Sequence, residues 1–264
     1  MEQYRSEILF EKHCPTIYAL TKKAKIDWKG LDYDFEANHL KLGIATEANI
    51  VGLLLHAESG EQFPIYFLRY CEFLAKNLQK ISKEKRKFRE ILIGKITNFK
   101  DLNYLNPIGE LAVLKKLTDY GYELIRIEDK ICFPSAKPKD FLFRTPQNKE
   151  ILIEVVNIHI KDDFQTLNNL KIFLFGKMKE KIEKETVGID LSEANDKLFF
   201  QPVLWHVDLI KFKEFKDFFK EFSSTFGKSF ELNYNILGFC TFGTIDKKDF
   251  IFGELSTFYD RYNI

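Results

Sequence analysis

Two hydrophobic rhythms divide the chain near residue 100. Before it, apolar residues recur at three-and-four spacing in Ala45–His56 (ATEANIVGLLLH) and again from Pro64 to Lys95. In the second stretch Phe67, Leu68, Cys71, Leu74, Leu78, Ile81, Phe88, Ile91 and Leu92 fall on one face. That period predicts amphipathic helices. Gly30–Leu42 (GLDYDFEANHLKL) is less regular and reads as a short hairpin or a loop.

After Pro107 the period changes. Ile108–Tyr120 (IGELAVLKKLTDY) predicts a helix with Ile108, Leu111, Leu114 and Leu117 inward and Gly121 as its stop. Tyr122–Phe133 (YELIRIEDKICF) predicts two short strands or one bent one, with Leu124 and Ile131 inside. Asp140–Arg144 is a strand and Pro146–Lys149 a turn. Glu150–Ile160 (EILIEVVNIHI) is a nearly unbroken β-branched run, as a central strand requires. A long helix over about 164–185 follows, then a strand at 198–207, a helix at 212–222, a strand at 235–242 and an edge strand at 249–252. The expected order is helix, three strands, helix, strand, helix, strand. The first strands are close enough for hairpins, and the helical connection implies a parallel crossover. The reading is therefore an α/β core over residues 101–264, preceded by a mainly helical region over 1–100.

Composition narrows the function classes. The 264 residues carry 40 basic and 39 acidic side chains, so the net charge of +1 exerts no global pull toward nucleic acid or membrane. No apolar run approaches the roughly 18–20 residues of a membrane span, and the charged opening MEQYRSEILFEKHC does not read as a secretory signal. Cys14, Cys71, Cys132 and Cys240 are scattered without zinc-type or disulfide-framework spacing, which predicts a reduced, cytoplasmic protein. One local cluster stands out: KISKEKRKFR at Lys80–Arg89, read either as a solvated helix face or as a phosphate-tracking patch. No GxxxxGK[ST] or GxGxxG occurs, so kinase, P-loop and Rossmann chemistries lack their phosphate cradle.

The chemistry concentrates on three acids. Asp140 opens one strand and Glu154 sits on the next, joined by a turn that lets the two strands pair. Two carboxylates that close repel unless a cation lies between them. Mg²⁺ suits such a place, being hard and content with one or two carboxylates, a carbonyl and waters. The Val155 carbonyl is the expected third protein ligand. Glu154 interrupts an otherwise apolar strand, where a charge needs a reason, and Glu110 lies on the preceding helix.

Glu110 in IGELAVLKKL, Asp140 in KPKDFLF and Glu154 in ILIEVVN resemble the signature of the PD-(D/E)XK, or restriction-endonuclease-like, nuclease superfamily. The αβββαβ order over roughly residues 105–245 resembles that superfamily's core. The resemblance implies a metal-dependent endonuclease acting on phosphodiester bonds, DNA rather than RNA. Mg²⁺ or Mn²⁺ would bind Asp140, Glu154 and Val155, Glu110 would assist, and a lysine would polarise the attacking water. A symmetric homodimer would suit the cutting of both strands of a duplex. The sequence departs from the pattern where the lysine belongs, two residues after Glu154, which is Val156. Superfamily members can move that lysine to the following helix. Its apolar face runs through Leu167, Leu170, Leu174, Met178 and Ile182, flanked by Lys177 and Lys181. Lys177 is the first choice and Lys181 the second. Asn157 could instead contact the water or phosphate. A core that has lost catalysis and only binds nucleic acid or a protein partner is the alternative. His159 has the parity of Val155 and should face away from Glu154. His206, beside Asp208, is a weaker candidate metal neighbour, and His13 beside Cys14 lacks an orienting partner.

Overall fold

The structure is a computed structural model that describes residues 3–22, 26–33, 50–82, 105–129, 133, 137–160, 164–190, 194, 197–224, 234–245 and 249–261. Residues 34–49, which hold most of the expected Gly30–Leu42 element and the start of Ala45–His56, residues 83–95 of the expected Pro64–Lys95 helix, most of the Lys80–Arg89 basic stretch, Ile131 and Cys132 lie outside the described residues. The protein is mixed α/β with a helical N-terminal region. Contacts divide it into two units: Met1–Leu111 with Asp246–Phe250, and Ala112–Ile245 with Ile251–Ile264.

The first unit holds α1 (Arg5–His13), α2 (Pro15–Thr21), α3 (Ile50–Glu58) and α4 (Gln62–Ser82), and α5 (Leu105–Asp119) begins in it. Its core contains Leu9, Phe10, Ile17, Leu54, Phe67, Leu68, Leu74 and Leu78, the last five lying within the two stretches of three-and-four spacing. Helix N-termini leave backbone N–H groups without intrahelical partners. Here the buried Glu72 carboxylate accepts from Thr16 and Ile17 at the start of α2, with Pro15 at its first position. Asp32 likewise accepts from the Arg5 and Ser6 N–H groups of α1. Among the described residues no helix is long and apolar enough to cross a membrane.

In the second unit α5 ends on Gly121, whose φ of +84° closes the helix. The Gly121 N–H donates to the Thr118 carbonyl and the Tyr122 N–H to that of Leu117, the paired bonds of a left-handed C-cap. Three antiparallel strands follow: β1 (Glu123–Asp129), β2 (Lys139–Arg144) and β3 (Glu150–His159). Of the stretch 122–133 the described part forms one strand, β1, whose pairing with β2 shifts between Leu124 and Arg126; residues 130–132 lie outside the described residues. Asn148, at φ +64°, makes the β2–β3 turn, where a short polar side chain tolerates the left-handed region.

Helix α6 (Leu167–Glu185) then crosses over, and β4 (Leu198–Trp205) lies parallel to β3. Thr166 caps α6 by accepting from the Asn169 N–H. Leu170, Leu174, Met178 and Ile182 are buried against the sheet face formed by Leu142, Leu152, Val156, Leu198 and Phe200. The single helix expected at 212–222 is instead α7 (Leu209–Phe212), a 3₁₀ turn and α8 (Lys216–Ser224), capped by Asp208.

The strand expected at 235–242 is also split. β5 (Asn235–Ile236) and β6 (Cys240–Ile245) both run parallel to β4. Their register differs by one residue, because Gln201 Nε2 captures the Gly238 carbonyl at 2.7 Å and pulls the backbone out of the ladder. β7 (Asp249–Glu254) and α9 (Leu255–Arg261) close the described chain. The strand order is β1-β2-β3-β4-β6-β7, with β5 also on β4.

Candidate active site

The β2–β3 ladder fixes where the two acids lie. Its pairs run from Arg144↔Glu150 to Phe141↔Ile153. Continued by one step, that register sets Asp140 opposite Glu154. Residues opposite each other in an antiparallel pair project to the same face. Leu142, Leu152 and Val156 share that parity and pack under α6, so the acids face the same helix. The pairing ends where the Asp140 carboxylate begins: its Oδ2 accepts the Val155 N–H at 2.9 Å. Thus the contact Val155 makes here is through its N–H.

Glu154 is 3% exposed. Its Oε1 lies 2.8 Å from Lys181 Nζ, and its Oε2 is buried without a hydrogen-bond partner. Burial, followed by the nearby Asp140 charge, pushes the Glu154 carboxyl up to about 8 despite the opposing pull of Lys181. Burial alone would lower the Lys181 ammonium, but attraction to Glu154 and Glu185 outweighs it and the amine is raised. Lys181 is therefore a firmly held cation.

A second layer supports that cation. Glu185, one helical turn beyond Lys181, sets Oε1 3.5 Å from its amine. Lys139 is 1% exposed and donates to both the Glu185 carbonyl (2.6 Å) and Glu185 Oε2 (3.2 Å). Lys137 approaches Glu185 from solvent at 3.8 Å. Burial opposes ionisation of Glu185, but Lys181 and Lys139 prevail and hold its carboxyl below the usual range. Sequence reasoning missed this pair. Glu185 carried a usable signal, its spacing of four from Lys181; the burial of Lys139 had none, since a lysine at a strand start normally reaches water.

Lys177 is on the exposed side of α6 and pairs with Glu180 at 3.4 Å, so of the two helix lysines it is Lys181 that reaches Glu154. Glu110 is half-buried on α5 and falls in the first unit. Asn157 accepts from Trp205 Nε1 at 2.8 Å. His159 stacks on Trp205 and neighbours the exposed His206. Cys14 is enclosed, with its thiol raised by burial, which leaves it inert beside His13.

Among the described residues no group of three or more His, Cys, Asp or Glu side chains is arranged to hold a metal ion. Two carboxylates on one face nevertheless match the donor set of Mg²⁺, which keeps waters and substrate oxygens as its other ligands. The unpartnered Glu154 Oε2 is a buried hard oxygen that a cation would satisfy. The residues present fit such an ion. In comparisons with protein-family models, curated proteins and solved structures, nothing matches this chain.

Proposed function

We propose that the second unit is a PD-(D/E)XK-like nuclease core and that the protein hydrolyses phosphodiester bonds of nucleic acid, DNA rather than RNA. Supporting this is the succession α5, β1, β2, β3, α6, β4: an antiparallel meander, a crossover helix and a parallel strand. The observation that carries the reading is the 2.8 Å contact between Lys181 and Glu154. An ammonium from α6 would do the work for which Val156 supplies no amine.

Asp140 and Glu154 would hold Mg²⁺ or Mn²⁺, with the Val155 carbonyl as the expected third protein oxygen. When bound, such an ion lowers the pKa of water and neutralises charge on a phosphate. Lys181 is kept protonated by its two carboxylate neighbours, so its task is donation: it orients the attacking water or hydrogen-bonds a phosphate oxygen. Glu185 holds Lys181 in place, and the buried Lys139 holds Glu185.

The test is direct. The full chain is incubated with plasmid, single-stranded DNA and RNA in Mg²⁺ or Mn²⁺, beside Asp140→Ala and Glu154→Ala. We expect at least one substrate to be cut and each substitution to abolish cutting. Cutting that survives both substitutions overturns the proposal.

A further inference from the structure

The opposite face of the same sheet carries a cavity of about 630 Å³, within the range of small-ligand sites. All its lining residues belong to the second unit. Ile151 and Phe199 line it, and they alternate with Leu152, Phe200 and Glu154, which face α6. The cavity is therefore separate from the acidic cluster.

Its depth is polar in a specific way. Gln201 is fully enclosed and its amide nitrogen donates to the Gly238 and Pro202 carbonyls, which fixes the orientation of the amide. The opposite atom, Oε1, is buried and has no donor. Beside it the Lys116 ammonium is matched by Glu254 at 2.7 Å, so the floor is nearly neutral, and among the described residues the buried side-chain atom left unmet there is Gln201 Oε1, which calls for an N–H or O–H. The mouth differs: the Tyr120 ring is 64% exposed, and Lys149 is exposed at the rim. A ligand suited to these demands is planar and mostly apolar, brings an N–H donor inward, stacks on Tyr120, and carries its negative charge outward toward Lys149. An acyl chain would leave Gln201 Oε1 unsatisfied.

We infer that this cavity is a binding site for a nucleobase carrying a phosphate, with the base inward against Gln201 and the phosphate at Lys149. The base can come from a free nucleotide or from a polynucleotide strand. The inference does not depend on the acidic cluster.

Calorimetric titration of the full chain with AMP, GMP, CMP and UMP, and separately with a short single-stranded oligonucleotide, tests it. We expect at least one mononucleotide to bind below about 1 mM. Tyr120→Ala should weaken it about tenfold through loss of stacking. Lys149→Ala should weaken it several-fold and flatten its salt dependence. Both side chains are exposed, so these variants should fold. Lys179→Ala, which removes only an exposed pair with Glu183 on α6, should bind as the parent does. If the oligonucleotide binds and the mononucleotide displaces it, the source is a strand; if only the mononucleotide binds, the source is free nucleotide. No binding by any probe, or binding that neither Tyr120→Ala nor Lys149→Ala weakens, overturns the inference.

Discussion

Lys181 Nζ stands 2.8 Å from Glu154 Oε1 although the two residues belong to different elements, a crossover helix and a central strand. The helix reaches the strand because Met178 and Ile182 are buried against the sheet on either side of Lys181. If this ammonium performs the work expected of it, Lys181→Ala should lower the single-turnover cleavage rate by about 10²–10³-fold, as the loss of a preorganised donor does. Lys177→Ala, which removes only an exposed pair with Glu180, should leave the rate unchanged. Equal losses from both substitutions would assign the effect to helix charge rather than to position.

The raised Glu154 carboxyl makes metal-free stability depend on pH, and the sign follows from proton counts. Between an ordinary value of 4.5 and about 8 the folded protein holds a proton on Glu154 that the unfolded chain has lost. Its contribution therefore falls as pH rises through that window and levels off above it. At pH 7 the cost is on the order of 3 kcal/mol. Glu154→Gln, neutral at every pH, should make the metal-free protein more stable than the parent at pH 8 and leave it nearly unchanged at pH 5. Urea unfolding in chelator at the two pH values checks this, and a stability difference independent of pH would contradict it.

Much of this arrangement was legible in the sequence, for reasons that can be named. The β-branched run containing Glu154 and the turn at Pro146–Lys149 fix strand pairing locally, and pairing fixes which residues share a face. The spacing of Leu170, Leu174, Met178 and Ile182 marked the buried side of α6. It did not rank the flanking lysines, because that choice depends on how the helix is rotated over the strand, a tertiary quantity. The split between β5 and β6 was hidden for the same reason. It depends on Gln201, which is distant in sequence and takes the Gly238 carbonyl. The buried Lys139 is likewise held by a residue 46 positions away.

The Lys139–Glu185 pair should matter more for stability than an exposed pair does. Lys139→Met removes a buried cation and leaves the enclosed Glu185 carbonyl without that donor. Breaking a buried pair from one side costs about 3–5 kcal/mol, the low end being expected here because Lys137 and Lys181 still reach Glu185. Glu185→Gln should cost less, since the Lys139 amine keeps the Glu185 carbonyl at 2.6 Å. Chemical denaturation midpoints of the two variants give the comparison; a larger loss from Glu185→Gln would reverse the assigned hierarchy.

An active core and one that only binds are separated most cleanly by the metal itself. A divalent ion needs Glu154 ionised, whereas the metal-free protein keeps it protonated up to about pH 8. Binding must therefore expel a proton. Calorimetric titration of Mn²⁺ into the chain should show affinity rising close to tenfold per pH unit between about pH 6 and 8. Close to one proton should be released at the lower pH, visible as a dependence of the heat on buffer ionisation. Asp140→Asn should weaken the ion and reduce without abolishing that proton release, because burial still holds the Glu154 carboxyl up once the Asp140 charge is gone. Glu154→Gln should weaken it and abolish the pH dependence, because no proton is left to displace. An Mn²⁺ affinity that is flat across this range, or that neither substitution lowers, would mean that Asp140 and Glu154 do not hold the ion, and the nucleic-acid-binding alternative would then be the better account of the fold.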